Sequence, residues 1–493
     1  MRRALSRAAL AVAAASCAGT KHDVRPDEAP VPARAAQPAA PAGLEGPAAP
    51  LDRELAGLPD ARAVWLVDAE LGPIYVVTAG AAAARDPAAP PLVLVHGLGP
   101  NGMRDFYPVL APLAARRRVV LLDLPGFGRS ARANARYAPD LYAAVLARVI
   151  ATLAPAGPVD VVGHSMGGAI ALYHAAAYPA QVRRLIVVDA AGILHRDAWF
   201  AHHVRRVTDP AHAVLPRVAD LLGEAADLVS ETSRILDPAP EIVLELAPLR
   251  QKLLGGRPER IAALGLILQD YGPLIARVRA PTLIVWGADD VVAPLRTGLM
   301  LADRLPDARL VVLPGVGHRV MAEAPGLLVP EIERHLAGPD APAGRAPAPV
   351  AAGASQGKAV CQGQPDVQLS GVYDSVVIED CARVTLDRVR TTSLVIRRST
   401  ASVVRSSFSA GIVADASTLI ITGGEIAGPI ALDVKDSKLD LAGVAIAPGR
   451  EAFRTAGSCR LLLSVCPVRT PDGRVAYRHG FVSAPTSAAA AHP

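Results

Sequence analysis

The pentapeptide Gly163–Gly167, with the sequence GHSMG, constrains the fold of this chain more than any other feature. It follows the apolar run Val159–Val162 directly and precedes a helical stretch that ends near Tyr178, before a proline. Glycines two residues before and after Ser165 permit a sharp, strained turn between a strand and a helix. Such a turn lifts the serine hydroxyl above the sheet and points the N-terminus of the helix at it. The motif therefore predicts a reactive serine at the end of a parallel strand.

Apolar runs on both sides of this motif predict an α/β fold with a doubly wound, mostly parallel sheet. Eight such runs alternate with longer helical stretches, as in sheets that are covered by helices. Some are unbroken Leu and Val runs, which is typical of strands buried on both faces. An insertion at about 193–278 has helical spacing and proline breaks, so we expect it to form a helical cap. The predicted strands are Val64–Val67, Ile74–Thr78, Leu92–Val95, Arg118–Leu122, Val159–Val162, Leu185–Val188, Thr282–Trp286 and Arg309–Leu313.

Two further residues complete a catalytic set. Asp290 follows the seventh run, in the sequence WGADD, and His318 follows the eighth run. A serine hydroxyl is a weak nucleophile, so a base must take its proton. A carboxylate then orients that base and stabilises its charged form. The order Ser165, Asp290, His318 predicts a triad. Asp289, which is adjacent, and Asp189, which ends the sixth run, remain alternatives for the acid.

These motifs resemble those of the α/β-hydrolase fold family in its capped form. The resemblance covers about residues 64–336 and rests on HGLG at 96–99, LDLPGFGRS at 122–130, GHSMG at 163–167 and GH at 317–318. It implies that Asp290 is the acid and that the backbone N–H groups of Leu98 and Met166 form an oxyanion hole. It also implies hydrolysis of a carboxylic ester without a cofactor, and the apolar residues of the predicted cap favour a small apolar ester. The sequence shows no set of metal ligands, so we expect no metal. Relatives that open epoxides or displace halide use a carboxylate at the position of Ser165, which argues against both reactions.

The N-terminus has the features of a targeting signal. Arginines precede the short apolar stretch Ala8–Ala15, and small residues precede Cys17. This resembles a bacterial lipobox, which implies removal of residues 1–16 and a lipid on Cys17. The alternatives are an ordinary secretory signal and an Ala-rich start without a targeting role. Residues 17–50 are rich in Ala and Pro, so we expect a disordered tether. The predicted location is the bacterial cell envelope, with membrane contact through the lipid only.

The remaining four cysteines all lie in the last third of the chain, at Cys361, Cys381, Cys459 and Cys466. An even set in one part of an exported chain is typical of disulfides. Three pairings are open, and the local pairs Cys361–Cys381 and Cys459–Cys466 are favoured. Zinc binding is the alternative, but the sequence has neither a CxxC pair nor a histidine cluster near these cysteines.

Residues 360–470 repeat with a fixed period. The segments Ser375–Thr392, Ser393–Ala410 and Gly411–Gly428 align with one another, and Pro429–Pro448 is two residues longer. Each has two short β-branched stretches and a small polar break. A unit this small cannot close a core alone, so the units are expected to stack. The pattern resembles right-handed parallel β-helix domains, and a β-sandwich is the alternative. We expect a linker at 338–359 and a flexible tail at 471–493.

Composition narrows the classes of function. Charged residues make up 20% of the chain and the net charge is +5, without a long basic run, which argues against nucleic-acid binding. We therefore expect an exported, lipid-anchored serine hydrolase that cleaves a carboxylic ester, with residues 51–337 as the catalytic domain. One alternative is an envelope protein whose β-helix domain recognises glycan or another partner. A minor alternative is a carbon–carbon bond hydrolase.

Overall fold

The computed structural model describes residues 45–80, 89–154, 156–199, 240–338, 353–470 and 472–482. The predicted signal, Cys17 and most of the predicted tether lie outside these ranges. So do residues 200–239 in the middle of the predicted cap and residues 339–352 in the predicted linker. Within the described ranges, no helix is both long enough and apolar enough to cross a membrane.

Nine strands form the first sheet, and eight of them correspond to the predicted strands. The six strands between residues 92 and 313 pair with one another in parallel, whereas the first three strands pair antiparallel with their neighbours. The strands are β1 (Glu45–Ala48), β2 (Arg62–Asp68), β3 (Gly72–Ala79), β4 (Leu92–Val95), β5 (Val119–Leu122), β6 (Val159–His164), β7 (Val182–Val188), β8 (Thr282–Gly287) and β9 (Ala308–Leu313). Their order in space is β1-β2-β3-β5-β4-β6-β7-β8-β9. The predicted α/β fold is confirmed.

Helices cover both faces of this sheet. Strand β4 shows why, because Val93 and Val95 enter one apolar cluster while Leu92 and Leu94 enter the other. A strand that is apolar on both sides must be covered on both sides. The helices are α1 (Tyr107–Ala114), α2 (Pro139–Leu153), α3 (Met166–Ala177), α4 (Pro240–Glu245), α5 (Ala247–Leu254), α6 (Pro258–Leu268), α7 (Gly272–Ile275), α8 (Leu295–Arg304), α9 (Val320–Glu323) and α10 (Pro325–Leu336).

Strand β1 corrects the predicted tether. Residues 17–50 were expected to be disordered, but Glu45–Ala48 pair antiparallel with β2, with Glu45 opposite Leu66. The sequence EGPA carries no alternating apolar pattern. Backbone pairing needs no such pattern, because it satisfies the N–H and C=O groups at the open edge of β2.

The second sheet holds fourteen strands from the C-terminal region. Its parallel pairs follow the spacing of the sequence repeat, since Val376 lies opposite Leu394 and Leu394 opposite Ile412, while the next step joins Ile412 to Leu432. The strands are β10 (Lys358–Gln362), β11 (Asp366–Tyr373), β12 (Ser375–Glu379), β13 (Arg383–Thr391), β14 (Leu394–Arg397), β15 (Thr400–Val404), β16 (Ser407–Phe408), β17 (Ile412–Asp415), β18 (Thr418–Thr422), β19 (Glu425–Lys435), β20 (Lys438–Ala442), β21 (Ala445–Ala456), β22 (Arg460–Arg469) and β23 (Val475–Val482).

The small polar break in each repeat forms a corner. The N–H of Cys381 donates to Ser399 Oγ at 2.9 Å, and the N–H of Ser399 donates to Ser417 Oγ at 3.2 Å. The N–H of Ser417 continues the series to Ser437 Oγ at 2.9 Å. The hydroxyls therefore satisfy buried backbone groups of the neighbouring repeat, which explains the small polar residues at these positions.

The structure contains one of the two favoured disulfide bonds and lacks the other. Cys361 and Cys381 are bonded, whereas Cys459 and Cys466 are free. The predicted Cys459–Cys466 bond is wrong, because residues 460–464 between the two cysteines are extended and pair with β20. Five extended residues span about 16 Å. A disulfide tolerates a Cα separation of only about 7 Å.

Strand β23 corrects the predicted tail. Residues 471–493 were expected to be flexible, but Val475–Val482 pair antiparallel with β22. The segment VAYRHGFV contains the β-branched and aromatic residues that favour strands. Its Tyr477 also packs against Gly272 of α7, where a Cβ atom would lie 2.9 Å from Tyr477 Cβ.

The second sheet packs against the first domain beside helix α8. The Arg296 guanidinium donates to both carboxylate oxygens of Asp440, at 2.7 and 3.1 Å. The N–H of Gly424 donates to Asp303 Oδ2 at 2.8 Å. Because α8 follows the loop that carries Asp290, the C-terminal strands are joined to an element next to the predicted acid.

Candidate active site

Ser165 lies at the sharp turn that its motif predicts. Strand β6 ends one residue before it and helix α3 begins one residue after it. Its backbone has φ 54° and ψ −120°, a strained conformation for a residue with a side chain. A Cβ atom on Gly163 would lie only 2.2 Å from Gly167 O, so the turn requires glycine at this approach. The N–H of Ser165 donates to Val188 O at 3.0 Å, which ties the turn to β7.

A chain of hydrogen bonds joins Ser165, His318 and Asp290. His318 Nε2 lies 3.0 Å from Ser165 Oγ, and His318 Nδ1 lies 2.8 Å from Asp290 Oδ2. Since the carboxylate only accepts, Nδ1 carries the proton and Nε2 is free to accept from the serine hydroxyl. The other oxygen of Asp290 accepts the N–H groups of Val292 at 2.7 Å and Ala293 at 2.9 Å. Together these hydrogen bonds hold the carboxylate in place beside His318.

The two alternative acids bond to other groups. Asp289 is exposed, and its N–H donates to Val316 O at 2.9 Å. Asp189 is fully buried, and its Oδ1 accepts the N–H of Gly287 at 2.9 Å. The structure therefore brings Asp290, of the three carboxylates, into hydrogen-bond contact with the imidazole.

The loop after β4 lies against Ser165 and is held by His96. His96 Nε2 accepts the N–H of Leu124 at 2.9 Å, so its Nδ1–H donates to Gly97 O at 2.7 Å. Burial lowers the pKa of His96, which favours this neutral form. A Cβ atom on Gly97 would come within 2.9 Å of Ser165 Cβ, so only glycine permits this approach. Leu98 on this loop and Met166 at the start of α3 therefore both flank the serine.

His164 contacts the loop that carries His318. Its Nε2 lies 2.9 Å from the backbone oxygen of His318, and the two rings are 5.0 Å apart. Burial, and the neighbouring His318, lower the pKa of His164 to about 4. A neutral ring with a proton on Nε2 donates to that oxygen, so His164 helps to hold the backbone of His318.

Glu323 is a site residue that the sequence analysis missed. Its Oε2 accepts the N–H of Gly317 at 2.6 Å, and its Oε1 accepts the N–H of Arg319 at 3.3 Å. The carboxylate thus holds the backbone on both sides of His318. The sequence offers only a weak signal for this role, a glutamate five residues after the histidine, because surface glutamates are common.

Three potential metal ligands come together at the same place. Ligand atoms of His164, Asp189 and His318 lie within 4.8 Å of one another. Both ring nitrogens of His318 face the serine and Asp290, and His164 Nε2 faces a backbone oxygen. Hydrogen bonds within the site therefore already engage three of the four histidine nitrogens of this set.

The described part of the predicted cap contacts the loop of Asp290. Trp199, which follows β7, donates its indole N–H to Val292 O at 2.8 Å. The N–H of Val292 in turn donates to Asp290 Oδ1. The segment leading into the cap is therefore joined to the same loop that holds the carboxylate.

Comparison with known proteins gives the same fold and a class of activity. The model of the alpha/beta hydrolase fold family matches residues 90–325. A pimeloyl-[acyl-carrier protein] methyl ester esterase of Chromobacterium violaceum is 36% identical over 234 residues, which are 46% of this chain and 87% of that protein. Lipase 3 of Moraxella sp. is 29% identical over 240 residues, or 48% of this chain and 73% of the lipase. The structure of a thermophilic esterase from Thermogutta terrifontis superimposes with a TM-score of 0.40 at 25% identity, over 55% of this chain and 97% of that one. The chain belongs to the alpha/beta hydrolase fold family and is a serine hydrolase that acts on esters.

Proposed function

We propose that this enzyme cleaves a small apolar carboxylic ester through a triad of Ser165, His318 and Asp290. The observation that carries the proposal is the continuous chain of hydrogen bonds from Ser165 Oγ through both nitrogens of His318 to Asp290. These three hydrogen-bonded side chains are a nucleophile, a base and an orienting acid, the three groups that acyl transfer to water requires.

The first half of the reaction forms an acyl-enzyme. Ser165 Oγ attacks the ester carbonyl carbon while its proton passes to His318 Nε2. The imidazolium that forms is stabilised by the Asp290 carboxylate. The charge on the carbonyl oxygen is stabilised by the N–H groups of Leu98 and Met166, which act as the oxyanion hole. When the tetrahedral intermediate collapses, His318 returns the proton to the leaving alkoxide and an alcohol departs.

The second half regenerates the enzyme. A water molecule gives its proton to His318 Nε2 and attacks the acyl carbon. The same two N–H groups stabilise the second tetrahedral intermediate. The C–O bond to Ser165 then breaks, the serine recovers its proton from His318 and a carboxylic acid is released. No atom or charge is left over after this cycle.

An apolar ester is the substrate class that the surroundings favour. The side chain of Leu98 is 39% exposed beside Ser165, which offers apolar surface to the acyl or alkyl group. Two relatives are named as a methyl ester esterase and a lipase, and both names refer to cleavage of a carboxylic ester bond. The test is a panel of p-nitrophenyl esters of increasing acyl length with the purified chain. We expect the highest kcat/KM within the shorter acyl chains. Cleavage of a carbon–carbon bond in a vinylogous diketone, without cleavage of any ester, would contradict the proposal and favour a carbon–carbon bond hydrolase.

Replacing Glu323 by glutamine is expected to lower kcat about fivefold to tenfold, since an exposed hydrogen-bond pair contributes roughly 1 kcal/mol. The amide presents one acceptor and one donor to two backbone N–H groups, so one contact is lost and the His318 loop loosens. The measurement is kcat and KM for the best ester of the panel. Glu331→Gln is the matched control, because Glu331 pairs with Arg309 on the surface of α10. An unchanged kcat in Glu323→Gln would contradict a positioning role.

We propose that the chain is exported and anchored to a membrane of the cell envelope by a lipid on Cys17. The sequence of residues 1–17 supports this, with its basic start, its short apolar stretch and its small residues before the cysteine. In cells that express the full chain, Cys17→Ala is expected to move the protein from the membrane fraction to the released fraction and to abolish labelling by radioactive palmitate. Equal palmitate labelling of both forms would contradict the proposal.

We also propose that the C-terminal strands form a parallel β-helix. Three observations support this architecture: parallel pairing throughout the repeats, a register equal to the repeat length, and a single apolar cluster inside the strands. In such an arrangement each repeat covers the next, so the end repeats need protection. The Cys361–Cys381 bond lies at one end, and the antiparallel strand β23 covers part of the other.

A further inference from the structure

Asp189 occupies a junction between the three loops of the active site. It directly follows β7, and its backbone has φ 45°, a left-handed conformation that is rare for a residue with a side chain. The backbone before and after it bonds to the serine turn, since Val188 O accepts from Ser165 N–H at 3.0 Å and Ala191 N–H, two residues after Asp189, donates to Ser165 O at 3.2 Å. Its own Oδ1 accepts from Gly287 N–H at 2.9 Å, at the start of the Asp290 loop. A strained buried carboxyl at such a junction calls for a specific role.

Two buried carboxyl groups meet at this junction. Asp189 is fully buried and Asp290 is 2% exposed. An Asp189 carboxyl oxygen lies within 4.8 Å of a ring nitrogen of His318, whose Nδ1 is 2.8 Å from Asp290 Oδ2, so the two carboxyl groups are neighbours that interact with each other. Within the described residues, Asp189 Oδ2 has no donor facing it. Asp290, by contrast, is surrounded by the N–H groups of Val292, Ala293 and His318. Two buried carboxyls in contact cannot both be ionised, and the one with fewer donors takes the proton.

We propose that Asp189 is a neutral carboxylic acid that donates a hydrogen bond from Oδ2–H to the Asp290 carboxylate and thereby positions the acid of the triad. This role rests on the proposed catalytic set, in which Asp290 orients His318. Asp189 is a positioning residue, because it acts on the reaction through Asp290. With its proton in place, it holds the carboxylate without adding a second negative charge beside the imidazole.

The surroundings of Asp189 favour the protonated form. Burial, and then the Asp290 charge, raise the pKa of Asp189 well above its usual value. The groups that face it are Asp290, Glu323, His164 and His318. Both other carboxylates disfavour a charge on Asp189, and His164 is neutral because its pKa is lowered to about 4. Asparagine can replace the neutral acid closely, since its oxygen can accept from Gly287 N–H and its amide can donate to Asp290.

The proton itself is tested by infrared difference spectroscopy at neutral pH, which compares the wild type with Asp189→Asn. We expect the C=O stretch of a protonated carboxylic acid in the wild type and its loss in the variant. The absence of that band from the wild type would overturn the proposal. This readout does not depend on turnover, so it separates a failure of this inference from a failure of the proposed triad. An enzyme without Ser165-dependent activity would overturn the triad and leave the band unchanged.

The positioning role is tested by ester hydrolysis across pH. Asp189→Asn is expected to keep kcat within about threefold and to leave the acidic limb of the pH–rate profile in place, because no charge is removed. Asp189→Ala loses the hydrogen bond to a buried charged group and is expected to lower kcat about tenfold to a hundredfold. If Asp189 were ionised, Asp189→Asn would remove a negative charge near His318 and shift that limb to lower pH. Such a shift, or full activity in a folded Asp189→Ala enzyme, would overturn the proposal.

Discussion

Replacing Ser165 by alanine will lower kcat for the best ester by ~10⁵–10⁶-fold, the scale seen when the nucleophile of a complete triad is removed. The reason lies in the geometry, because Ser165 Oγ lies 3.0 Å from His318 Nε2 and can pass its proton to that nitrogen as it attacks a carbonyl. Replacing His318 by alanine should have a similar effect. The double variant should be no slower than either single variant, because the two residues act as one unit. The measurement is the kcat of all three variants at neutral pH.

The design of this experiment includes two comparisons. Ser409→Ala removes an exposed serine directly after β16 and should leave kcat unchanged. Asp290→Asn keeps the shape of the acid but favours the wrong tautomer of His318, and it should cost ~10⁴-fold. Effects of Ser165→Ala and His318→Ala that multiply in the double variant would contradict a joint role for these residues.

Replacing Asp440 by alanine will destabilise the whole chain by about 2–4 kcal/mol, because it leaves the guanidinium of Arg296 without its partner at a nearly dry interface. The two side chains are 11% and 13% exposed, and the guanidinium meets both carboxylate oxygens. The measurement is the free energy of unfolding from chemical denaturation. Since Arg296 lies in the first turn of α8, which follows the Asp290 loop, we also expect faster hydrogen exchange in that helix.

A surface ion pair of the same chain supplies the matched control. Arg383 and Asp366 lie 3.3 Å apart, with side chains that are 77% and 56% exposed. Asp366→Ala is expected to cost less than 1 kcal/mol, as exposed pairs usually do. The double variant Arg296→Met/Asp440→Leu should recover much of the stability, because an apolar pair removes the cost of a buried lone charge. Equal effects of Asp440→Ala and Asp366→Ala would show that the C-terminal strands do not pack on α8.

The catalytic region could be predicted from the sequence because its signals are local. The turn at Ser165 needs glycines at fixed positions, and the buried strand Leu92–Val95 is apolar at every residue, so both features are visible in short segments. The order of Ser165, Asp290 and His318 along the chain follows from the order of the strands that carry them. Glu323 escaped prediction because its role depends on a backbone contact, and backbone contacts leave no periodic pattern.

The errors at the ends of the folded parts have a common physical cause. Strands β1 and β23 gain stability by pairing with open sheet edges, which a strand can do without an alternating apolar face.

The Cys459–Cys466 pair is close along the sequence, but the extended backbone between the two cysteines places them far apart. Sequence separation is a poor guide to distance inside a strand, whereas Cys361 and Cys381 come together because they lie on neighbouring repeats.

The central claim is that Ser165 is an activated nucleophile. The most direct measurement is labelling of the folded protein with a fluorophosphonate probe, followed by mass spectrometry of its peptides, because the probe reacts with an activated serine whatever the substrate. The account predicts one modified residue, Ser165, and no labelling in Ser165→Ala or His318→Ala. A folded wild type that stays unlabelled, or that is labelled at another serine, would contradict it.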